Sequence, residues 1–201
     1  MPSIKYLLDI GGETKKLEMY RTQKEFENYA NAVIKQARFI LEEEDKNASG
    51  NLSKSMNHSF QIDDKQFVLS FDFEGAPYWD FVESGVRGAV SEKKAPDSPF
   101  KFGSGTGEKG KLVPAIDRWT VVKPIKAVRD AKGRFIPRKE LVRKIAINVY
   151  RHGIKPTPFI RPTMRILFKK YKSKIEEAMA SDIWHFYNKE LPTNFEIVIT
   201  L

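Results

Sequence analysis

The segment Gly153-Ile154-Lys155-Pro156-Thr157-Pro158-Phe159-Ile160-Arg161-Pro162 constrains this chain more than any other. Three prolines within seven residues lack backbone N–H groups and have φ fixed, so no helix runs through the segment. Pro162 suits the first turn of a helix, the one helical location where a missing N–H costs nothing. On the N-terminal side, Val142, Ile145, Ala146 and Val149 share one face at helical spacing and predict a helix over Arg138–His152. On the C-terminal side, Met164, Leu167, Phe168, Tyr171, Ile175, Ala178/Met179, Ile183 and Phe186 keep that spacing. They predict a helix of about 30 residues, or about 45 Å, stopped by Pro192. The segment is therefore a rigid corner between two helices.

The same reading of periods organises the rest. Ile4, Tyr6, Leu8 and Ile10 alternate, Gly11-Gly12 offers a hairpin turn, and Lys15–Tyr20 returns as a second strand. Thr22 followed by Glu25 reads as a capping box. The predicted helix carries Phe26, Tyr29, Ala30, Val33, Ile34, Ala37 and Ile40/Leu41 on one stripe and ends in Glu42-Glu43-Glu44-Asp45. Negative charge is disfavoured at a helix C-terminus. Ala48–Ser55 reads as a small-residue loop or short turn. Phe60 and Ile62, a turn at Asp63-Asp64-Lys65, then Phe67, Leu69, Phe71 and Phe73 form the clearest hairpin. Tyr78–Gly85 reads as a short helix ended by glycine. Residues 86–111, rich in Gly, Ser, Lys and Pro, predict a long, basic, flexible loop. Leu112, Ile116, Trp119 and Val122 predict another short helix. Arg129–Phe135 reads as a tight turn between extended pieces, and Phe195, Ile197, Ile199 and Leu201 as a closing strand. The expected class is α+β: a single domain over residues 1–201, with an antiparallel β-sheet packed against two long helices and a long basic loop insertion.

Charge is polarised along the chain. The net charge is +9, yet residues 1–100 carry 13 Lys+Arg against 17 Asp+Glu, whereas 109–172 carry 19 against 3. Such a basic region attracts a polyanion: DNA, RNA or an acidic protein surface. Solvated outer faces of helices are the plainer reading, and no sequence-reading DNA motif is present. There are no cysteines, which excludes disulfides and thiolate metal sites and fits a reducing compartment. No run of about 18 apolar residues predicts a membrane span. Met1–Lys5 does not open a signal peptide.

Catalytic chemistry finds little support. Gly105–Lys111 matches the start of a phosphate-binding loop, but Leu112 stands where the magnesium-binding Ser or Thr belongs, and Ser98–Phe102 makes a poor preceding strand. His58, His152 and His185 are widely separated and lack ligand-like partners at i+3 or i+4. No nucleophile–base or paired-carboxylate spacing emerges. The expectation is a protein that is not an enzyme, with no cofactor and no metal.

Contact residues are better candidates. Glu42, Glu43 and Glu44 form a solvated face, a divalent-ion site, or a surface meeting a basic neighbour. Tyr78, Trp79 and Phe81 belong to a cluster too apolar for one helical face to bury, so either both faces are covered within the domain or part meets a partner. Phe159 and Ile160 offer either core packing or an apolar anchor at the corner.

The order of these pieces resembles the head–tail connector family of tailed bacteriophages, also called neck or tail-completion proteins. Ser49-Gly50-Asn51-Leu52-Ser53-Lys54-Ser55 follows the N-terminal helix. Tyr78-Trp79-Asp80-Phe81-Val82-Glu83-Ser84-Gly85 matches a Tyr-x-x-x-Val-Glu-x-Gly segment. Trp119 and Lys132-Gly133 occupy similar places to a Trp-containing helix and a basic stretch. Gly153–Thr163 matches Gly-Ile-Lys followed by Pro-Phe-Ile/Leu-x-Pro-Ala, with Thr163 where alanine is frequent. The resemblance spans about residues 22–190 and rests on the order and spacing of the motifs together.

The resemblance implies a virion structural protein, made in the host cytoplasm. It would form a homo-oligomeric ring, about six or twelve subunits, at the head–tail junction. Portal or adaptor proteins and tail proteins would flank it, and double-stranded DNA would pass through its lumen. Glu42, Glu43, Glu44, Tyr78, Trp79, Phe81, Phe159 and Ile160 are then expected at subunit interfaces. Lys109, Lys111, Lys132, Arg134, Arg138 and Lys139 are expected to face DNA without reading sequence. The alternative is a cytoplasmic, regulatory DNA-binding protein.

Overall fold

The computed structural model describes residues 5–10, 13–46, 49–63, 68–103, 111–123, 125 and 128–190. The element order is β1 (Lys5–Ile10), β2 (Glu13–Glu18), α1 (Tyr20–Glu43), α2 (Asn51–Ser55), β3 (Asn57–Asp63), β4 (Val68–Glu74), α3 (Trp79–Ser84), α4 (Leu112–Val122), α5 (Arg138–His152) and α6 (Arg161–Glu190). Contacts divide the chain into two compact units. One contains 1–36, 57–74 and 161–201; the other contains 37–56 and 75–160.

The expected α+β architecture is not built. The chain is mostly helical, and the four strands form two separate two-stranded hairpins, β1–β2 and β3–β4. Among the described residues no single antiparallel sheet lies beneath two long helices. The physical reason is that period-two alternation and a short turn specify pairing within a hairpin. They carry no instruction for joining one hairpin's edge to another's. The predicted closing strand at 195–201 lies outside the described residues. The hairpins themselves follow the sequence, β3–β4 running in register from Asn57↔Glu74 to Asp63↔Val68.

In the first unit, β2 lies against α6. Leu17, Met19, Tyr29, Ala30, Val33, Ile34 and Ile175 are buried. Tyr29 donates its hydroxyl to the Met164 carbonyl at 3.1 Å. Its ring meets Phe168 edge-on at 5.9 Å, and burial raises its phenol pKa.

Helix α1 starts at Tyr20, two residues before the predicted cap. Its free amides are met instead by a distant carboxylate. Asp182 of α6, 6% exposed, accepts Thr22 N–H at 2.8 Å and Arg21 N–H at 3.3 Å through its two oxygens. Thr22 Oγ1 also donates to it at 2.9 Å. Thr22 is thus a helical residue that binds the cap and not the cap itself, which corrects the capping-box expectation. A carboxylate placed at the dipole's positive end performs the cap's function through space.

In the second unit, α1 ends in a Schellman motif. Lys46 N–H reaches Leu41 C=O at 2.9 Å, Asp45 N–H reaches Glu42 C=O at 3.0 Å, and Asp45 takes the left-handed φ of 53°. Lys123 pairs with the Asp45 carboxylate and donates to its carbonyl at 2.7 Å. Positive charge here offsets the acids that the helix dipole disfavours. Residues 51–55, read as loop or turn, form α2. Arg38 of α1 donates to the carbonyls of Ser53 at 2.9 Å and Met56 at 3.3 Å, closing α2's C-terminal end. Leu41, Leu52, Met56, Val86, Ala95, Val142, Ala146, Phe159 and Ile160 are buried.

Candidate assembly site

Two sequence segments that stood apart, Tyr78–Gly85 and Gly153–Pro162, meet in the second unit. Glu83, 3% exposed, accepts the N–H groups of Phe159 at 2.8 Å and Ile160 at 2.9 Å on one oxygen, Oε2. Thr157 N–H donates to Val82 C=O at 2.9 Å. Val86 and Ile154 exchange backbone bonds at 3.0 and 2.8 Å. The prolines leave the corner without helical bonds of its own, and α3 with residue 86 supplies its acceptors and donors. Gly153 makes this approach feasible. Its φ is +76°, and a Cβ there would lie 2.1 Å from the Val86 carbonyl oxygen.

Residues 86–103, read as part of a flexible loop, are tied down over the end of α5. Ala89 N–H donates to Tyr150 C=O, and Val90 and Ser91 N–H both donate to Arg151 C=O. These bonds satisfy carbonyls that a helix C-terminus leaves free. Ser98 Oγ donates to Gly85 C=O at 2.7 Å in the interior. Glu92 is flanked by Lys101 at 2.8 Å and Arg87 at 3.6 Å. The hydrogen bond from Lys101 and its charge, then Arg87, hold the Glu92 carboxyl below its usual range. Residues 104–110, with Lys109 and most of the glycine-rich segment, lie outside the described residues.

Phe159 and Ile160 are 0% and 2% exposed. This corrects their expected place at a subunit interface: their side chains fill the unit's own core, and their role is to anchor the corner from within. Tyr78 and Phe81 are 42% and 44% exposed, and Trp79 is half-buried. Phe81 packs on Phe100 with centroids 4.3 Å apart. Glu42, Glu43 and Glu44 are exposed.

Four of the residues expected to face DNA fall in two places. Lys132 and Arg134 sit on an exposed tongue, 128–136, closed by the Arg129↔Phe135 bridge and by Ile136 N–H to Val128 C=O at 2.9 Å. Asp130 organises its turn, accepting Lys132 N–H and Arg134 N–H at 2.9 Å each. It also pairs with the Arg134 side chain at 3.0 Å. The Arg134 amide foremost, with its guanidinium and the Lys132 amide, holds the Asp130 carboxyl below its usual range. Arg129 lies over the Phe135 ring at 4.0 Å.

Arg138 and Lys139 stand elsewhere, beside a groove of about 820 Å³ between α4 and α5 whose lining includes Val113, Pro114, Val142 and Arg143. Arg138 donates to Asp117 Oδ1 at 2.8 Å. Lys111 is exposed at the start of α4. Glu83 stood in the Tyr-x-x-x-Val-Glu-x-Gly segment with no role of its own assigned, and the sequence did not single out Asp182 or Arg143. Asp182 had a signal: it falls four residues after Ala178 and four before Phe186, a carboxylate on an otherwise apolar stripe of α6.

Among the described residues no group of three or more His, Asp or Glu could hold a metal ion, and no helix is long and apolar enough to cross a membrane. Comparison with protein-family models, with curated proteins and with solved structures gave no match.

Proposed function

We propose that this chain is a non-enzymatic ring subunit of a phage head–tail connector, lying between portal and tail, with DNA passing through the lumen. The observation that carries this reading is the order and spacing of the motifs, two of which are joined physically. The Val82-Glu83 pair of the Tyr78–Gly85 motif holds the backbone of the Gly153–Pro162 motif at Thr157, Phe159 and Ile160. A shared structural role of that kind accounts for two segments that the resemblance treats as separate marks. The polarised charge supports assembly, because an acidic surface on one copy complements a basic one on the next. Lys132 and Arg134 on the exposed tongue suit contact with phosphate that reads no sequence.

Quantitative mass spectrometry of purified particles tests the reading. The chain is expected in a fixed number of copies per particle, and its absence from particles would overturn the proposal.

The charge of 109–172 favours the second reading, a cytoplasmic regulatory DNA-binding protein. Tight, sequence-specific binding by the monomer at physiological salt would support it over the first. Weak binding with no sequence preference and a steep salt dependence fits a lumen.

A further inference from the structure

We propose that the α4–α5 groove receives the Phe39–Glu43 end of α1 from a second copy of this chain. The inference deepens the proposed ring by naming its contact, and it rests on that reading only for closure into a ring.

The donor surface is a helix end of fixed shape. Phe39 is 54% exposed. Glu42 and Glu43 follow it by three and four residues, so all three side chains share one face of α1. The Schellman motif at Asp45 and the Lys123 contact hold this end in place. It presents an aromatic knob with two carboxylates beside it. Asp45 has its own partner in Lys123. Among the described residues no ion pair engages Glu42 or Glu43.

The acceptor surface has the complementary chemistry. Helix α4 reads LVPAIDRWTVV and contains no buried residue, an unusual outcome for so apolar a helix. Val113 and Pro114 face the groove opposite Val142 of α5, and Arg138, Lys139 and Arg143 provide its positive charge. Among the described lining residues the one acid, Asp117, is already paired with Arg138 at 2.8 Å. Lys139 and Arg143 have no ion pair among the described residues. A groove of about 820 Å³ has room for an aromatic side chain and its flanking carboxylates.

Charge complementarity selects this occupant. An apolar floor gains nothing from a nucleic-acid backbone, whereas a knob of one phenylalanine and two acids satisfies floor and rim together. Within a single copy Phe39 is exposed and the groove is open, so neither surface satisfies the other. Knob and groove are different surfaces, so the contact is heterologous. It repeats from copy to copy and closes where the rotation permits. This assigns Arg138 and Lys139 to a protein contact and leaves the tongue for DNA.

Sedimentation velocity on the full chain tests the proposal. One variant removes the knob, Phe39→Ala with Glu42→Ala and Glu43→Ala; another reverses the groove, Lys139→Glu with Arg143→Glu. Wild type is expected to form species larger than dimers that dissociate as salt rises. Each variant alone is expected to stay monomeric. Mixed, they should give a one-to-one dimer and nothing larger, because each retains the half that the other lacks. The milder Glu43→Gln and Lys139→Gln, which barely perturb folding, should each weaken association about tenfold. A wild type that stays monomeric, association that needs added DNA, variants that assemble like wild type, or a mixture with no dimer would each overturn the proposal. Assembly in solution by a chain missing from particles leaves this contact standing and removes the phage reading. Presence in particles with assembly indifferent to both variants does the reverse.

Discussion

Glu83 holds Ile160 by its backbone, Oε2 accepting the N–H at 2.9 Å. The same oxygen takes Phe159 N–H at 2.8 Å. One buried carboxylate thus satisfies two consecutive amides just before α6 begins. Removing it with Glu83→Ala would orphan both, at about 1–3 kcal/mol each. A loss of about 2–5 kcal/mol in chemical denaturation is therefore expected. Glu83→Gln keeps an acceptor oxygen and should cost clearly less. Equal losses for the two variants would show that Glu83 acts through volume and not through these bonds.

Gly153 and Gly133 provide a matched comparison. Both have left-handed φ, +76° and +78°. A Cβ at Gly153 would meet Val86 O at 2.1 Å and Gly88 N at 2.6 Å, while at Gly133 it meets nothing within 4 Å. Gly133→Ala should cost about 1 kcal/mol, the conformational penalty alone. Gly153→Ala should cost well over about 3 kcal/mol or prevent folding, because backbone must move. Thermal melts of the two proteins check this, and similar melting points would contradict the close approach at the corner.

Asp182 caps α1 through space. Asp182→Ala should destabilise by about 1–3 kcal/mol, as expected for a lost N-cap whose donors are buried. Because Thr22 Oγ1 donates to the same carboxylate, a double-mutant cycle with Thr22→Ala should show positive coupling. Strict additivity of the two losses would rule out the shared node.

The tongue should open in acid. Asp130 has its carboxyl pKa lowered by the Arg134 amide and guanidinium and the Lys132 amide. A depressed folded-state pKa means the stabilisation is present above the ordinary aspartate value of 3.8. It is lost as pH falls through the lower folded value. Amide chemical shifts of Lys132 and Arg134 should therefore move together below that pH, and Asp130→Asn should remove the transition. Shifts that stay constant to lower pH would contradict it.

Helix boundaries were the most legible part of this sequence. The apolar face of Val142, Ile145, Ala146 and Val149 and the punctuation by Gly153 give α5 its observed limits, Arg138–His152. Pro162 correctly marks the first turn of α6, which starts at Arg161. The β3–β4 hairpin was legible because its two alternating runs are neighbours in sequence. The failures all involve partners far away in sequence. Thr22 and Glu25 match a capping box locally, yet Asp182, 160 residues on, supplies the acceptor. Residues 86–103 look like a loop by composition. Their order comes from backbone bonds to the α5 end, which side-chain identity does not encode. The alternating segments of the two hairpins correspond to β1–β4, while their union into one sheet was wrong. Phe159 and Ile160 could be read as core or as contact, since apolar character alone does not say which side is covered.

A cryo-electron-microscopy reconstruction of the neck of purified particles tests the proposed ring at the head–tail junction. The expected density is a closed ring of this chain between portal and tail, with the 128–136 tongues toward the DNA and the Phe39 end of each copy in the α4–α5 groove of the next. A neck built entirely from other chains, with none of this protein in the particle, would contradict it.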